Sequence, residues 1–214
     1  MDILAHRGFW TDRSEHNSES AFRRAFAKGY GVETDVRDLD GELVISHDPP
    51  RRGAMTFAAF LALCLSYDAR PCLALNIKAD GLQAPLLQAL QEAGVDNYFV
   101  FDMSVPDSLA YFRAGMPVFT RRSEFEAGSI LDQKAKGFWL DAFETPFTPA
   151  DALKAALALG LTCALVSPEL HRRAYAPAWE AWRAIAAETT DLMLCTDFPD
   201  DAAAFFSDES LNHP

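Results

Sequence analysis

Short apolar runs of strand length recur along the chain: ILAHRG (3–8), GVETDV (31–36), CLALNIK (72–78), YFVFD (98–102), VFTRRS (118–123), GFWLDA (137–142), CALVSP (163–168) and LMLCTD (192–197). They are rich in β-branched and aromatic residues and are bounded by turn residues, the pattern of strands. Between most of them lie stretches of helical periodicity. SESAFRRAFAKG opens at Ser18 and closes at Gly29, and LLQALQEAG (86–94) stops at Gly94. TPADALKAALALG carries Thr148 as expected N-cap, Pro149 at the first helical position and Gly160 past the end. APAWEAWRAIAAE (176–188) and PDDAAAFF (199–206) complete the series, and HDPPRRGAMTF leads into one more helix. EFEAGSILDQKAKG, after the fifth strand, predicts none.

Eight strands alternating with helices predict an α/β chain of the TIM-type (β/α)8 barrel, as one domain over residues 1–214. An open doubly wound sheet is the alternative, but no glycine-rich phosphate loop follows the first strand. The second unit departs from the simple alternation. Its strand runs into a hairpin turning at Leu39-Asp40-Gly41. With period-two alternation Glu33 and Asp35 share one strand face. A register symmetric about Asp40 would set His47 opposite Glu33.

A formal charge of −12 over 214 residues argues against a nucleic-acid partner, because phosphate backbones demand clustered Lys and Arg. A phosphate-bearing small molecule would need a local positive pocket. The four cysteines, Cys64, Cys72, Cys163 and Cys195, stand singly in apolar segments without metal-type spacing. They read as free buried thiols. No uncharged run approaches the ~20 residues of a membrane span, and MDILAHRG shows no leader pattern. The expectation is a soluble cytoplasmic protein, with no oligomeric state implied.

In this fold class the working residues sit at the C-terminal ends of strands. Those ends carry His6-Arg7, Glu33 and Asp35, Asn76 and Lys78, Asp102, Arg121, Asp141, Glu169 and Asp197, and the hairpin ends at His47-Asp48. Two carboxylates on one strand face repel unless a cation lies between them, which points to a hard divalent ion such as Mg²⁺ or Ca²⁺. A structural ion pair with Arg37 or Lys78 is the competing reading. Two imidazoles at one opening, His6 and His47, suit a division of general acid and general base work. Trp10, Trp139 and Phe143 are candidates to line an alcohol pocket, or simply to pack.

Taken together and in order, AHRG, NSESAFRRAFAKG, the E-x-D of VETDV, DGELVISHD and CTDFP resemble the glycerophosphodiester phosphodiesterase family. The resemblance implies a TIM-type barrel that binds one divalent cation and cleaves a small phosphodiester. It implies catalytic roles for His6 and His47, phosphate binding for Arg7 and Lys78, and metal binding for Glu33 and Asp35. Three departures stand out. Asn76 replaces the family's third acidic ligand; its amide oxygen is still expected to coordinate the cation, with weaker affinity, and Asp102 is the alternative third ligand. His16 replaces the glutamate of the P-E-N-T stretch. The family's insertion after the H-D pair is almost absent. A phosphodiester-binding protein with reduced catalysis is the first rival, supported by Asn76; a sugar-phosphate lyase or isomerase on the same scaffold is the second.

Overall fold

Eight parallel strands alternate with helices, giving the TIM-type (β/α)8 fold, and a ninth strand forms the hairpin. The computed structural model describes residues 1–207, which places His213 outside the described residues. All eight sequence-predicted strands are present. The chain divides into two units, Ala5–Val118 and Met1–Leu4 with the chain from Phe119 onward; strand β1, Asp2–His6, spans the boundary.

The Ala5–Val118 unit holds α1 Glu19–Ala27, β2 Gly31–Leu39, β3 Glu42–Ile45, α2 Phe57–Leu65, β4 Leu73–Ile77, α3 Gln83–Ala93, β5 Tyr98–Phe101 and α4 Val105–Arg113. Helix α1 starts where Ser18 accepts a hydrogen bond from the Ala21 amide, and it buries Ala21, Phe22, Ala25 and Phe26 on one face. That face meets α2: the Phe22 and Phe60 rings pack edge to face at 4.8 Å. Each buried phenylalanine contributes about 1.5–3 kcal/mol of transfer free energy. Helix α4 was not legible as an apolar stripe. Ser104 starts it by accepting from the Asp107 amide, with Pro106 in its first turn.

Strand β2 runs parallel to β4 with Asp35 opposite Asn76 and Glu33 opposite Ala74. Every residue from Gly31 to Val36 is buried, so Glu33 and Asp35 are covered on one face of the strand as Val32, Thr34 and Val36 are on the other. The hairpin differs from the symmetric expectation by one residue. Asp40 and Gly41 take φ 52° and 86°, a two-residue turn of the primed kind. Val36 therefore pairs with Ile45 and Leu39 with Glu42. The Ser46 amide donates to the Asp35 carbonyl at 3.0 Å, so Ser46 lies opposite Asp35 and His47 follows beyond the end of β3.

The second unit holds β6 Phe119–Arg122, β7 Gly137–Leu140, α5 Ala150–Leu157, β8 Thr162–Val166, α6 Ala176–Glu188, β9 Leu192–Thr196 and α7 Pro199–Ser207. Its strands pair in parallel, β6 with β7, β7 with β8 and β8 with β9. Between β6 and β7 there is only a short 3-10 turn, Ile130–Gln133, as the sequence implied. Helix α5 corrects one expected cap: its N-cap is Pro149, without a side-chain cap bond. The Thr148 carbonyl instead accepts from the Trp182 indole at 2.9 Å.

Gly137 sits where no side chain fits. A Cβ there would stand 2.4 Å from Phe119 Cζ and 2.5 Å from the Thr162 carbonyl oxygen. Because one of these is backbone in the neighbouring strand, Gly137→Ala is expected to cost about 2–3 kcal/mol. A urea-unfolding midpoint unchanged in that variant would contradict the packing described.

Among the described residues, Cys64, Cys72, Cys163 and Cys195 are free and buried, as expected. No helix there is long and apolar enough to cross a membrane.

Candidate functional site

The chain leaves β1 through a sharp turn that sets the first two candidate residues. Arg7 and Gly8 take φ 56° and 87°, a left-handed pair that only glycine adopts without strain at the second position. The Arg7 amide donates to the Glu33 carbonyl at 2.9 Å, and the Arg7 carbonyl accepts from the Asn17 amide at 2.9 Å. A Cβ on Gly8 would lie 2.8 Å from Ala21 Cβ and 2.9 Å from the Ala21 carbonyl carbon, so α1 approaches the turn closely only because residue 8 is glycine.

Around Asp35 the structure gathers cations. Its side chain is wholly buried. Arg7 Nε lies 3.0 Å from Asp35 Oδ2 and Lys78 Nζ 3.6 Å from Oδ1. Asn17 Nδ2 donates to Oδ2 at 2.9 Å, while its own Oδ1 accepts from Thr34 Oγ1 at 2.8 Å. Lys78 also lies 3.8 Å from Asp102 Oδ2, so Asp102 pairs with that lysine. Arg37 is occupied elsewhere, its Nε donating to the His47 carbonyl at 2.9 Å.

Glu33 is the second buried carboxylate of the site, 2% exposed. Burial first, and the neighbouring Asp35 second, push its carboxyl up to about 7, against the pull of His6, Arg7 and Lys78. His6 Nε2 lies 3.9 Å from Glu33 Oε2. Three buried oxygens here have no hydrogen-bond partner: Glu33 Oε2, Asp35 Oδ1 and Asn76 Oδ1. Orphaned buried acceptors are costly, and a triad of them on adjacent strands is the donor chemistry of a hard cation. The residues present therefore fit a divalent ion of the Mg²⁺ or Ca²⁺ kind. Among the described residues no three His, Cys, Asp or Glu side chains form a metal-type cluster.

The imidazoles are placed differently from one another. His6 is only 15% exposed, whereas His47 is 46% exposed and its Nδ1 lies 2.9 Å from Asp48 Oδ1. A third, His16, packs with its ring centroid 5.9 Å from His6 and 4.6 Å from Trp10. Trp10 donates its indole N–H to the His6 carbonyl at 3.1 Å. The loop carrying His16 is fixed by Glu15, which accepts from the Thr11 amide and hydroxyl and pairs with Arg24. Arg7, His16 and His47 line one open cleft of about 1270 Å³.

Asn17 is the residue that sequence reasoning missed. It stands first in NSESAFRRAFAKG, but only the fold reveals that it holds Asp35. Of the aromatic candidates outside this unit, Trp139 is 5% exposed on β7, and Phe143, 37% exposed, packs 5.6 Å from the His171 ring.

No family model and no curated protein matches the chain. Solved structures do. A glycerophosphodiester phosphodiesterase from Parabacteroides distasonis superposes with a TM-score of 0.73 at 17% identity, covering 98% of each chain. A phosphodiesterase from Oleispira antarctica, in complex with the product sn-glycerol-3-phosphate, gives 0.64 at 15% identity over 96% of each chain. Phosphoribosyl anthranilate isomerase from Thermus thermophilus also shares the fold, with a TM-score of 0.56 at 14% identity and complete coverage of both chains. At such identities the likeness establishes the (β/α)8 fold, and the chemistry has to be argued from the site.

Proposed function

We propose that the protein is a divalent-metal-dependent phosphodiesterase acting on a glycerophosphodiester or a related small phosphodiester. The observation that carries this reading is the trio of orphaned oxygens on Glu33, Asp35 and Asn76, beside the His6 imidazole and the cations Arg7 and Lys78. The phosphodiesterases among the structural neighbours and the ordered sequence motifs support it.

A cation bound by Glu33, Asp35 and Asn76 would supply charge stabilisation for a non-bridging phosphate oxygen. Arg7 and Lys78 orient the remaining phosphate oxygens; the ion pair of Arg7 engages Nε, and a guanidinium carries further donors suited to phosphate. His6 and His47 divide the proton transfers. One takes the proton from the attacking hydroxyl, that of water or of the substrate itself. The other delivers a proton to the leaving oxygen.

The test is product formation from bis(p-nitrophenyl) phosphate and from a glycerophosphodiester, with a chelator and then with Mg²⁺, Ca²⁺ or Mn²⁺. Turnover is expected only with the cation, and no product with any of the three overturns the proposal. A second reading, a phosphodiester-binding protein with reduced catalysis, is favoured by the neutral donor Asn76. Asn76→Asp separates the two, since adding a charge to the donor set is expected to tighten the cation by about tenfold or more. Calorimetry reads that affinity; a parallel rise in turnover supports the enzyme, and tight phosphodiester binding without product supports the binder.

A further inference from the structure

Resting on that reading, we infer that the cleft beside Arg7 is a subsite for an alcohol group that bears its own negative charge. The substrate class is then a phosphodiester esterified to an anionic alcohol, such as one carrying a carboxylate or a phosphate monoester. The cleft is walled by the loop that follows β3, from Ser46 to Met55, and by the segment from His16 to Glu19. Three arginines line it, Arg7, Arg51 and Arg52, against two acids, Glu19 and Asp48.

Both acids are already engaged. Glu19 accepts from Arg23 Nε at 2.8 Å and Nη2 at 2.5 Å. Asp48 Oδ1 lies 2.9 Å from His47 Nδ1. Arg7 is held against Asp35. The Arg51 and Arg52 side chains have no ion-pair or hydrogen-bond partner among the described residues. A chain of net charge −12 thus presents one cleft wall whose uncompensated charge is positive, and field in a concave wall concentrates on whatever occupies it.

The backbone of the loop that carries the two arginines is tied at both ends. At its start the Ser46 amide donates to the Asp35 carbonyl, and at its end the Met55 carbonyl accepts from the Ile45 amide at 2.8 Å. Pro49 and Pro50 stiffen the approach by fixing φ. A turn then closes with the Ala54 amide donating to the Arg51 carbonyl at 3.1 Å, with Gly53 at φ 91°. A short loop tied at both ends presents its arginines with less ordering cost than a long mobile one.

Two diesters of one leaving group test the inference, the second alcohol being neutral in one and carrying a carboxylate in the other. Wild-type protein is expected to favour the anionic diester in kcat/KM by about tenfold or more. In R51A/R52A that preference should collapse to near unity while neutral-diester turnover is unchanged, since neither arginine belongs to the catalytic group. Raising salt should erode the wild-type preference in the same direction. Equal preference in wild type and variant, with the neutral diester turned over normally, overturns the subsite. Failure of the phosphodiesterase reading looks different: neither diester gives product. Calorimetry with the same pair then decides the subsite alone, tighter anionic-diester binding lost in R51A/R52A supporting it and equal binding overturning it.

Discussion

His6→Ala is expected to lower phosphodiester turnover by about 10²–10⁴-fold while the protein remains folded, the usual yield of one positioned acid or base. His6 lies 3.9 Å from Glu33 Oε2 with a side chain 15% exposed. Its removal therefore takes away a proton carrier at the candidate centre more than it takes away packing. His47→Ala should give a loss of the same order with still less effect on stability, because that side chain is 46% exposed and contacts Asp48 at the cleft. Steady-state kinetics with saturating divalent cation, alongside thermal melts of each variant, make the measurement. Undiminished turnover in both variants would end the division of proton transfer between two imidazoles.

Asp35→Ala should cause the largest loss of stability at the site. Its carboxylate is wholly buried and meets Arg7 at 3.0 Å, Asn17 at 2.9 Å and Lys78 at 3.6 Å. Alanine leaves Arg7 without its ion-pair partner and the Asn17 amide without its acceptor. Breaking one partner from a buried pair costs about 3–5 kcal/mol. Lys78 keeps Asp102 at 3.8 Å, so its share of the loss is smaller. Chemical denaturation gives the comparison, with Lys78→Met as the milder reference. A stability change below that of Lys78→Met would mean that Asp35 does not hold the cluster together.

The helix α5 cap and the hairpin register show the reach of local reasoning. Thr148 followed by Pro149 is a sound local start signal, yet the helix begins one residue later than expected, with Pro149 as its cap. The Asp40-Gly41 dipeptide correctly announced a hairpin, but the two-residue turn moved the pairing by one position. That shift matters because side chains alternate faces along a strand. It places Ser46 opposite Asp35 and lets His47 leave the ladder toward the cleft.

The amino-acid sequence by itself determined the eight strands, most of the helices, the hairpin and the candidate residues from His6 to Lys78. Those follow from periodicity and turn chemistry, which act over a few residues and are written directly in the chain. Only the tertiary structure decided that Asn17 holds Asp35, that Asp102 pairs with Lys78, and that three buried oxygens on adjacent strands have no hydrogen-bond partner. It also decided that Arg51 and Arg52 share a cleft with Arg7. Partnerships of this kind join residues tens of positions apart, and their energies depend on burial and on distances of a few ångströms, which no local pattern encodes.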